Sequence, residues 1–129
     1  MATVIYISNT PPDSAMQQWD DRLPLYRQLA NRLAGGLLDG DPPEGEAMPS
    51  VRVLAAQYLL NPITVGRALQ ALNEDGLLDN RRGLGLYVRP GARSALLQAE
   101  RQRFLRDEWP QLQLRLRRLG IRRDELDWE

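Results

Sequence analysis

The stretch "NPITVGRALQALNEDGLLDNRRGLGLYV", residues 61–88, determines the fold class expected for this chain. Asn61 is a suitable helix N-cap, and Pro62 suits the first helical position, where an N–H group would have no helical partner. Apolar residues three or four apart then predict a helix with one buried stripe: Val65, Ala68, Leu69 and Leu72. Asp75-Gly76 is expected to end it, because glycine readily takes the left-handed conformation found there.

The remainder of the stretch predicts a hairpin. "LLDNR" and "LYVRP" are typical of short strands, and "RGLG" between them is typical of a tight turn. Two adjacent arginines therefore lie at the tip of a narrow, glycine-containing hairpin directly after a helix.

Two further helices are predicted upstream. The first is expected to begin at Pro24, with one apolar face: Leu25, Leu29, Leu33 and Leu37. "DGDPPEGEAMP" then indicates a loop. Ser50 is a suitable N-cap for the second helix, whose apolar face is Leu54, Ala55 and Tyr58.

This order of elements is that of a winged helix-turn-helix. We expect a mainly α fold with a small β-hairpin, divided into an N-terminal arm (1–18), a winged helix-turn-helix domain (19–90) and a short helical dimerisation tail (91–129). In such a fold a helix fits the major groove of DNA, and a basic hairpin reaches the neighbouring backbone or minor groove.

The tail is predicted to form a helix capped by Ser94 and running to about Leu119. Apolar residues recur in it with heptad spacing of four, three, four and three, and we call them the tail stripe: Leu105, Trp109, Leu112, Leu116 and Leu119. Leu97 and Phe104 extend this surface. Pro110 is expected to kink or break the helix. The stripe predicts a dimer interface, with packing on the same chain's domain as the alternative.

In the arm, "TVIYI" predicts a short strand.

Composition restricts the function further. The 129 residues contain no cysteine and no histidine, which removes disulfides, thiolate ligands, the commonest zinc ligand and the commonest general base. We therefore expect no metal, no cofactor and no enzymatic activity. There is no long apolar run and no signal-peptide pattern at the start, so a cytoplasmic protein without a membrane partner is expected.

The net charge is zero, but its distribution is uneven. All 17 basic residues are arginine, and residues 80–103 contain six arginines against one acidic residue. Residues 1–50 have seven acidic residues against three arginines. A local basic face is what a phosphate backbone attracts, although surface arginines are also ordinary solvated residues.

Several short motifs resemble the gluconate-repressor (GntR) family of bacterial transcription regulators: "PLY", "G-x-x-x-P-S-x-R-x-L-A", "TV-x-RAL-x-x-L", "GL" and "RRGLG-x-Y-V". They occur in order between Pro24 and Val88. The tail "ERQRFLRDEWPQLQLRLRRLGIRRDEL" is similar to that of the YtrA subfamily, so the likeness covers about residues 19–127.

The resemblance implies a cytoplasmic homodimer that binds a pseudo-palindromic operator in double-stranded DNA. Members of this subfamily often repress an operon containing their own gene and an ATP-binding-cassette transporter. Larger relatives sense metabolites through a big C-terminal domain. The short tail here predicts no obvious small-molecule pocket.

The resemblance also implies which residues contact DNA. Arg52 is expected to contact phosphate and often a base as well, and Ser50 caps its helix with or without an added phosphate contact. Asn61, Thr64 and Arg67 are expected at the start of the recognition helix. A threonine hydroxyl suits phosphate, and its methyl group suits thymine.

The sequence departs from many relatives at Pro62 and Gly66, where arginines are common, so base-contacting arginines are excluded there. Ile63 is expected either to meet a thymine methyl group or to be a buried staple residue. The hairpin residues expected at DNA are Arg81, Arg82, Gly83, Leu84 and Gly85, with an ordinary turn as the alternative. Specificity would then depend partly on DNA shape and on the hairpin.

Three functions compete on this sequence. A dimeric DNA-binding repressor is favoured. The second is a winged-helix module that binds protein without sequence-specific DNA binding, which zero net charge supports and the arginine hairpin opposes. An enzyme is the weakest, because the chain is too short for the aminotransferase-like domain that some relatives carry.

Overall fold

The computed structural model describes residues 19–128, so the N-terminal arm and the strand predicted in it lie outside the described residues. The elements are α1 (Leu25–Leu38), α2 (Val51–Tyr58), α3 (Pro62–Glu74), β1 (Leu78–Arg81), β2 (Gly85–Val88), α4 (Ala92–Arg103) and α5 (Trp109–Leu119). A π-helical turn, Phe104–Glu108, joins α4 to α5, and a 3₁₀ turn follows at Arg123–Glu125. The fold is mainly helical with one hairpin, as predicted. The chain divides into two compact units between Leu97 and Gln98.

The first unit is built around the contact between α1 and α3. Leucines from α1, α2, α3, β1 and α4 are almost fully buried together: Leu29, Leu37, Leu54, Leu72, Leu78 and Leu96. The predicted stripe of α3 is confirmed, since Val65, Ala68, Leu69 and Leu72 are all buried. Burying each such side chain contributes about 1.5–3 kcal/mol before the entropy of ordering the chain is subtracted. The core therefore fixes how α3 is presented.

The predicted apolar face of α1 is only partly correct. Leu29 and Leu37 are buried and Leu33 is half-buried, but Leu25 is exposed. A spacing of four residues overshoots a helical turn by about 40° at each step, so a row of leucines drifts around the helix. Leu25, in the first turn, therefore lies outside the core. Pro24 is the N-cap of this helix, and the helix itself begins one residue later than predicted.

The segment before α1 is held by a buried amide. Gln28 Oε1 accepts a hydrogen bond from the Asp20 N–H at 2.7 Å, and Gln28 Nε2 donates to the carbonyl oxygens of Asp20 and Leu23. Trp19 packs against the same core, where its ring meets Tyr58 and lies 4.3 Å from the Arg32 guanidinium. The described chain is therefore ordered from its first residues.

The hairpin has a third pairing segment that the sequence did not indicate. β1 and β2 pair antiparallel, with Leu78 opposite Val88 and Arg81 opposite Gly85. Residues 45–48, predicted as loop, also pair with β2: the Met48 N–H donates to Leu86 O, and the Val88 N–H donates to Glu46 O, each at 2.8 Å. This pairing joins residues that are far apart in the chain, which no local pattern reveals.

The prediction that Ser94 caps α4 is wrong. The helix begins at Ala92 rather than after Ser94, so Ser94 lies inside it. The cap comes from the distant loop, because the Glu44 carboxylate accepts hydrogen bonds from the N–H groups of Gly91 and Arg93. These two donors hold the pKa of Glu44 below its ordinary value. A carboxylate also suits the positive end of the helix dipole.

In the second unit, Pro110 was expected to kink or break the helix; the helix continues past it, but with a π-helical turn directly before Trp109. Proline lacks the N–H group of the regular helical ladder, and its ring crowds the carbonyl of the preceding turn. The backbone responds with the π-helical turn, in which the Trp109 N–H donates to the Phe104 carbonyl oxygen. Gly120, with φ of 70°, ends α5 as predicted.

Candidate nucleic-acid interface

The helix-turn-helix is formed by α2, a tight turn and α3, and both predicted caps are present. Ser50 Oγ accepts a hydrogen bond from the Val53 N–H at 3.2 Å, and Asn61 Oδ1 accepts from the Ile63 N–H at 2.8 Å. Leu59 makes the turn with φ of 57°, the left-handed conformation that glycine usually takes at a helix end. These local bonds fix the angle at which α3, the recognition helix, begins.

The outward face of α3 carries the predicted DNA-contacting residues. Ile63 is 73% exposed, so the expectation of a buried staple residue is wrong. At about 100° per residue, Ile63 is directed about 200° away from buried Val65. Arg67 lies one turn later on the same exposed side, and Thr64 lies between this face and the core.

Two of the predicted arginines lie over tyrosine rings. The guanidinium carbon of Arg67 is 4.1 Å from the centre of the Tyr26 ring, and that of Arg81 is 4.1 Å from the centre of the Tyr87 ring. Such cation–π contacts contribute about 0.5–1 kcal/mol at exposed sites and restrict where the guanidinium lies.

Sequence reasoning did not identify either tyrosine as part of the site. The contact of Tyr87 with Arg81 could have been predicted from the hairpin register. Asp79 pairs with Tyr87, and Arg81 is the diagonal neighbour of Tyr87 on the same face. Tyr26 belongs to the "PLY" motif, but only the packing of α1 against α3 brings it to Arg67.

The hairpin, which we now call the wing, has a tight tip. The Leu84 N–H donates to Arg81 O at 2.8 Å, and Gly83 and Gly85 have φ of 78° and 104°. A side chain with a Cβ rarely adopts those angles, so both glycines are required by the turn itself. The tip residues are exposed, including Arg82 and the apolar Leu84.

The four arginines predicted at this surface differ from those that the described chain holds in ion pairs. Arg22, Arg89, Arg106 and Arg122 each form an ion pair with a nearby carboxylate. Among residues 19–128, no such pair involves the four predicted DNA-contacting arginines, which are Arg52, Arg67, Arg81 and Arg82. Their charge is therefore not neutralised within the described chain and remains available to an anion.

The second unit presents the tail stripe at its surface. Leu105, Trp109, Leu112 and Leu119 are exposed and Leu116 is partly so, and Phe104 is exposed as well. Leu105 falls in the π-helical turn, whereas the other four stripe residues lie on α5. Leu97, grouped with them in the sequence, belongs to the first unit and is also exposed.

In residues 19–128, the helices are too short or too polar to span a lipid bilayer.

Known proteins are similar to this chain in sequence and in fold. Residues 25–88 match the family described as "Bacterial regulatory proteins, gntR family". The chain is 28% identical over 106 residues to the HTH-type transcriptional repressor YtrA of Bacillus subtilis, covering 81% of each protein.

Two solved structures extend the comparison. A regulator described as a GntR family member, from Bacteroides thetaiotaomicron, is 32% identical with a TM-score of 0.61, covering 78% of this chain and 87% of that one. A transcriptional regulator from Oenococcus oeni is 26% identical with a TM-score of 0.67, covering 84% and 88%. With its helix-turn-helix and arginine-bearing wing, the chain belongs to the GntR family of DNA-binding transcription regulators.

Proposed function

We propose that the protein is a homodimeric repressor of the YtrA type that binds a pseudo-palindromic operator. The similarity to a Bacillus subtilis repressor along 81% of both chains supports repression. An operon containing its own gene and an ATP-binding-cassette transporter is the proposed target. Because the protein acts on a bacterial chromosome, we place it in the cytoplasm.

One observation carries the DNA-binding part of the proposal. Four arginines, two on the helix-turn-helix and two on the wing, have no carboxylate partner among the described residues: Arg52, Arg67, Arg81 and Arg82. Phosphate groups of a duplex are the natural counter-charge for such a set. A chain with zero net charge can therefore still bind DNA through this surface.

In this proposal each element has a separate role. The first two turns of α3 enter the major groove with Ile63, Thr64 and Arg67, and Asn61 meets the backbone beside them. Ser50 and Arg52, at the start of α2, contact phosphate. The wing, from Arg81 to Gly85, follows the neighbouring backbone or minor groove.

Dimerisation is supported by the exposed tail stripe. Leucines and a tryptophan at heptad spacing form a surface that is costly to leave in water, and two copies cover it on each other. A dimer with two-fold symmetry presents two recognition helices, which matches an operator with two related half-sites.

A pair of substitutions tests the two halves of the DNA surface. Arg82→Ala removes a charge from the DNA backbone, so it should weaken binding to operator and random DNA together. The salt slope should fall by about one for each protomer, or about two for a dimer. Arg82→Lys, which keeps the charge, is the matched control and should preserve the slope. Thr64→Ala should weaken binding to the operator more than binding to random DNA, because it removes a group that contacts a base.

The opposite pattern would change the assignment of roles. A selective loss of operator preference in Arg82→Ala, with Thr64→Ala neutral, would assign base recognition to the wing.

A second function, a protein-binding module, is favoured by exposed apolar residues of the helix-turn-helix and the wing, which are Leu59, Ile63 and Leu84. Exposed apolar groups are common at protein interfaces. A salt titration separates the two functions: DNA binding should weaken steeply as salt rises, whereas an interface dominated by apolar contacts should not.

The absence of an effector pocket stays a prediction. A cleft of about 380 Å³ is lined by α1, α2 and the loop between them, with Arg32, Asp41 and Tyr58 among its residues. That volume falls within the range of small-molecule sites. Metabolite titrations monitored by the fluorescence of Trp19, which packs against Tyr58, would test the prediction.

A further inference from the structure

The helix-turn-helix exposes two large apolar side chains that its own fold does not require. Leu59 is 88% exposed and Ile63 is 73% exposed. Leu59 also holds a left-handed backbone conformation, with φ of 57°, which is unfavourable for any residue with a branched or bulky side chain. Glycine or asparagine at this turn would relieve the strain without losing buried surface. The leucine is thus costly in the free protein and gains nothing from the described core.

The neighbouring positions leave these two side chains accessible. The Pro62 side chain carries no polar group, and Gly66 lies one turn after Ile63 on the outward half of α3. A Cβ placed on Gly66 would meet no atom within 4 Å, so the surface there is open. A partner can therefore approach the α3 backbone closely at Gly66, one turn after Ile63.

The proposed function places the start of α3 in the major groove of DNA. Few chemical groups in that groove can make a favourable contact with leucine or isoleucine. Base edges present hydrogen-bond donors and acceptors, which leucine and isoleucine cannot pair, and a single apolar group, the C5 methyl of thymine. We propose that Leu59 and Ile63 recognise thymine methyl groups in each half-site of the operator. This inference rests on the proposed function, and it names the chemical group that replaces the arginine contacts excluded at Pro62 and Gly66.

The test begins with the full chain and a pool of random duplexes, from which the preferred sequence is recovered by repeated selection. Each thymine of that duplex is then replaced in turn by deoxyuridine, which removes the methyl group and keeps the base pair. At one or two thymines per half-site, affinity should fall about fourfold, the equivalent of about 0.8 kcal/mol for one apolar carbon. This arm uses the unaltered protein, so it does not depend on how a variant folds.

Variants then assign the contact to its side chains. Ile63→Ala and Leu59→Ala should each bind the thymine duplex more weakly and should each abolish the deoxyuridine effect at one position. Leu23→Ala is the matched control, since Leu23 is an exposed leucine of the same unit outside the helix-turn-helix. It should keep the full deoxyuridine effect.

The outcomes separate this inference from the proposed function. If no duplex is enriched, sequence-specific DNA binding itself is wrong. If a duplex is enriched but deoxyuridine is neutral at every position, operator binding stands and methyl recognition is overturned. A deoxyuridine effect that persists in both alanine variants would also overturn it, because another residue would then contact the methyl groups.

Discussion

The Arg67 guanidinium lies 4.1 Å from the centre of the Tyr26 ring, so a side chain of the recognition helix is held by the first helix of the domain. Losing the ring should release Arg67. We expect Tyr26→Leu to weaken DNA binding by about two- to fivefold per protomer, the equivalent of about 0.5–1 kcal/mol. Tyr26→Phe keeps the ring and should bind as the unaltered protein does.

A double-substitution cycle checks that the effect passes through Arg67. In an Arg67→Ala background, Tyr26→Leu should cause no further loss of affinity, because the stacking that it removes is already gone. Equal losses in both backgrounds would show that Tyr26 acts independently of the stack.

Two helical glycines should respond oppositely to the same change. A Cβ on Gly66 meets nothing within 4 Å, whereas one on Gly36 would lie 2.9 Å from the Asp41 carbonyl oxygen. Gly66→Ala should therefore raise the free energy of unfolding by about 0.5–1 kcal/mol through helix propensity. Gly36→Ala should lower it by roughly 1 kcal/mol, because the clash exceeds that gain.

Urea unfolding of both variants measures the difference directly, and DNA affinity adds a second readout. Gly66→Ala should bind its operator more weakly despite being more stable, since the methyl group fills the space into which the groove approaches. Unchanged affinity would mean that α3 does not approach the bases closely at Gly66.

The cap of α4 predicts a pH-dependent stability. Hydrogen bonds from the Gly91 and Arg93 N–H groups hold the pKa of Glu44 below its ordinary value of 4.5. A carboxyl group with a lowered folded-state pKa stabilises the fold above the unfolded pKa, and this contribution disappears as the pH falls through the folded-state pKa. Glu44→Gln should therefore lower Tm near neutral pH, and the difference from the unaltered protein should narrow below pH 4.5.

Ser94→Ala is the control for this prediction. Ser94 lies inside α4 and is exposed, so its replacement should leave Tm nearly unchanged at every pH. A larger effect from Ser94→Ala than from Glu44→Gln would return the capping role to the serine that the sequence suggested.

The tail stripe should control the oligomeric state. Leu112→Glu with Leu116→Glu places charge in the proposed interface, and sedimentation should show monomers at concentrations where we expect the unaltered chain to be a dimer. Operator affinity should fall by roughly a hundredfold or more, because the second half-site is no longer bound by the same molecule. Leu114→Glu, on the same helix outside the stripe, is the matched control and should remain dimeric. A double variant that still sediments as a dimer would exclude this stripe as the interface.

Much of the first unit was predictable because its signals are local. Ser50, Asn61, Gly76 and Gly120 begin or end helices through bonds to residues close by in the chain, so the sequence near each one specifies the boundary. The buried stripe of α3 follows from the helical period in the same way. These features, together with the motifs of the wing, determined the fold class and the family from the sequence alone.

The tertiary structure decided the features that join distant residues. Glu44 caps the distant helix α4, with its carboxylate bonded to Arg93 across a separation of 49 positions. Residues 45–48 pair with β2, and Tyr26 supports Arg67, only because α1, α3 and the hairpin pack into one core. Local sequence sets the conformation of each segment, but these partners depend on how the segments pack, which is a property of the whole core.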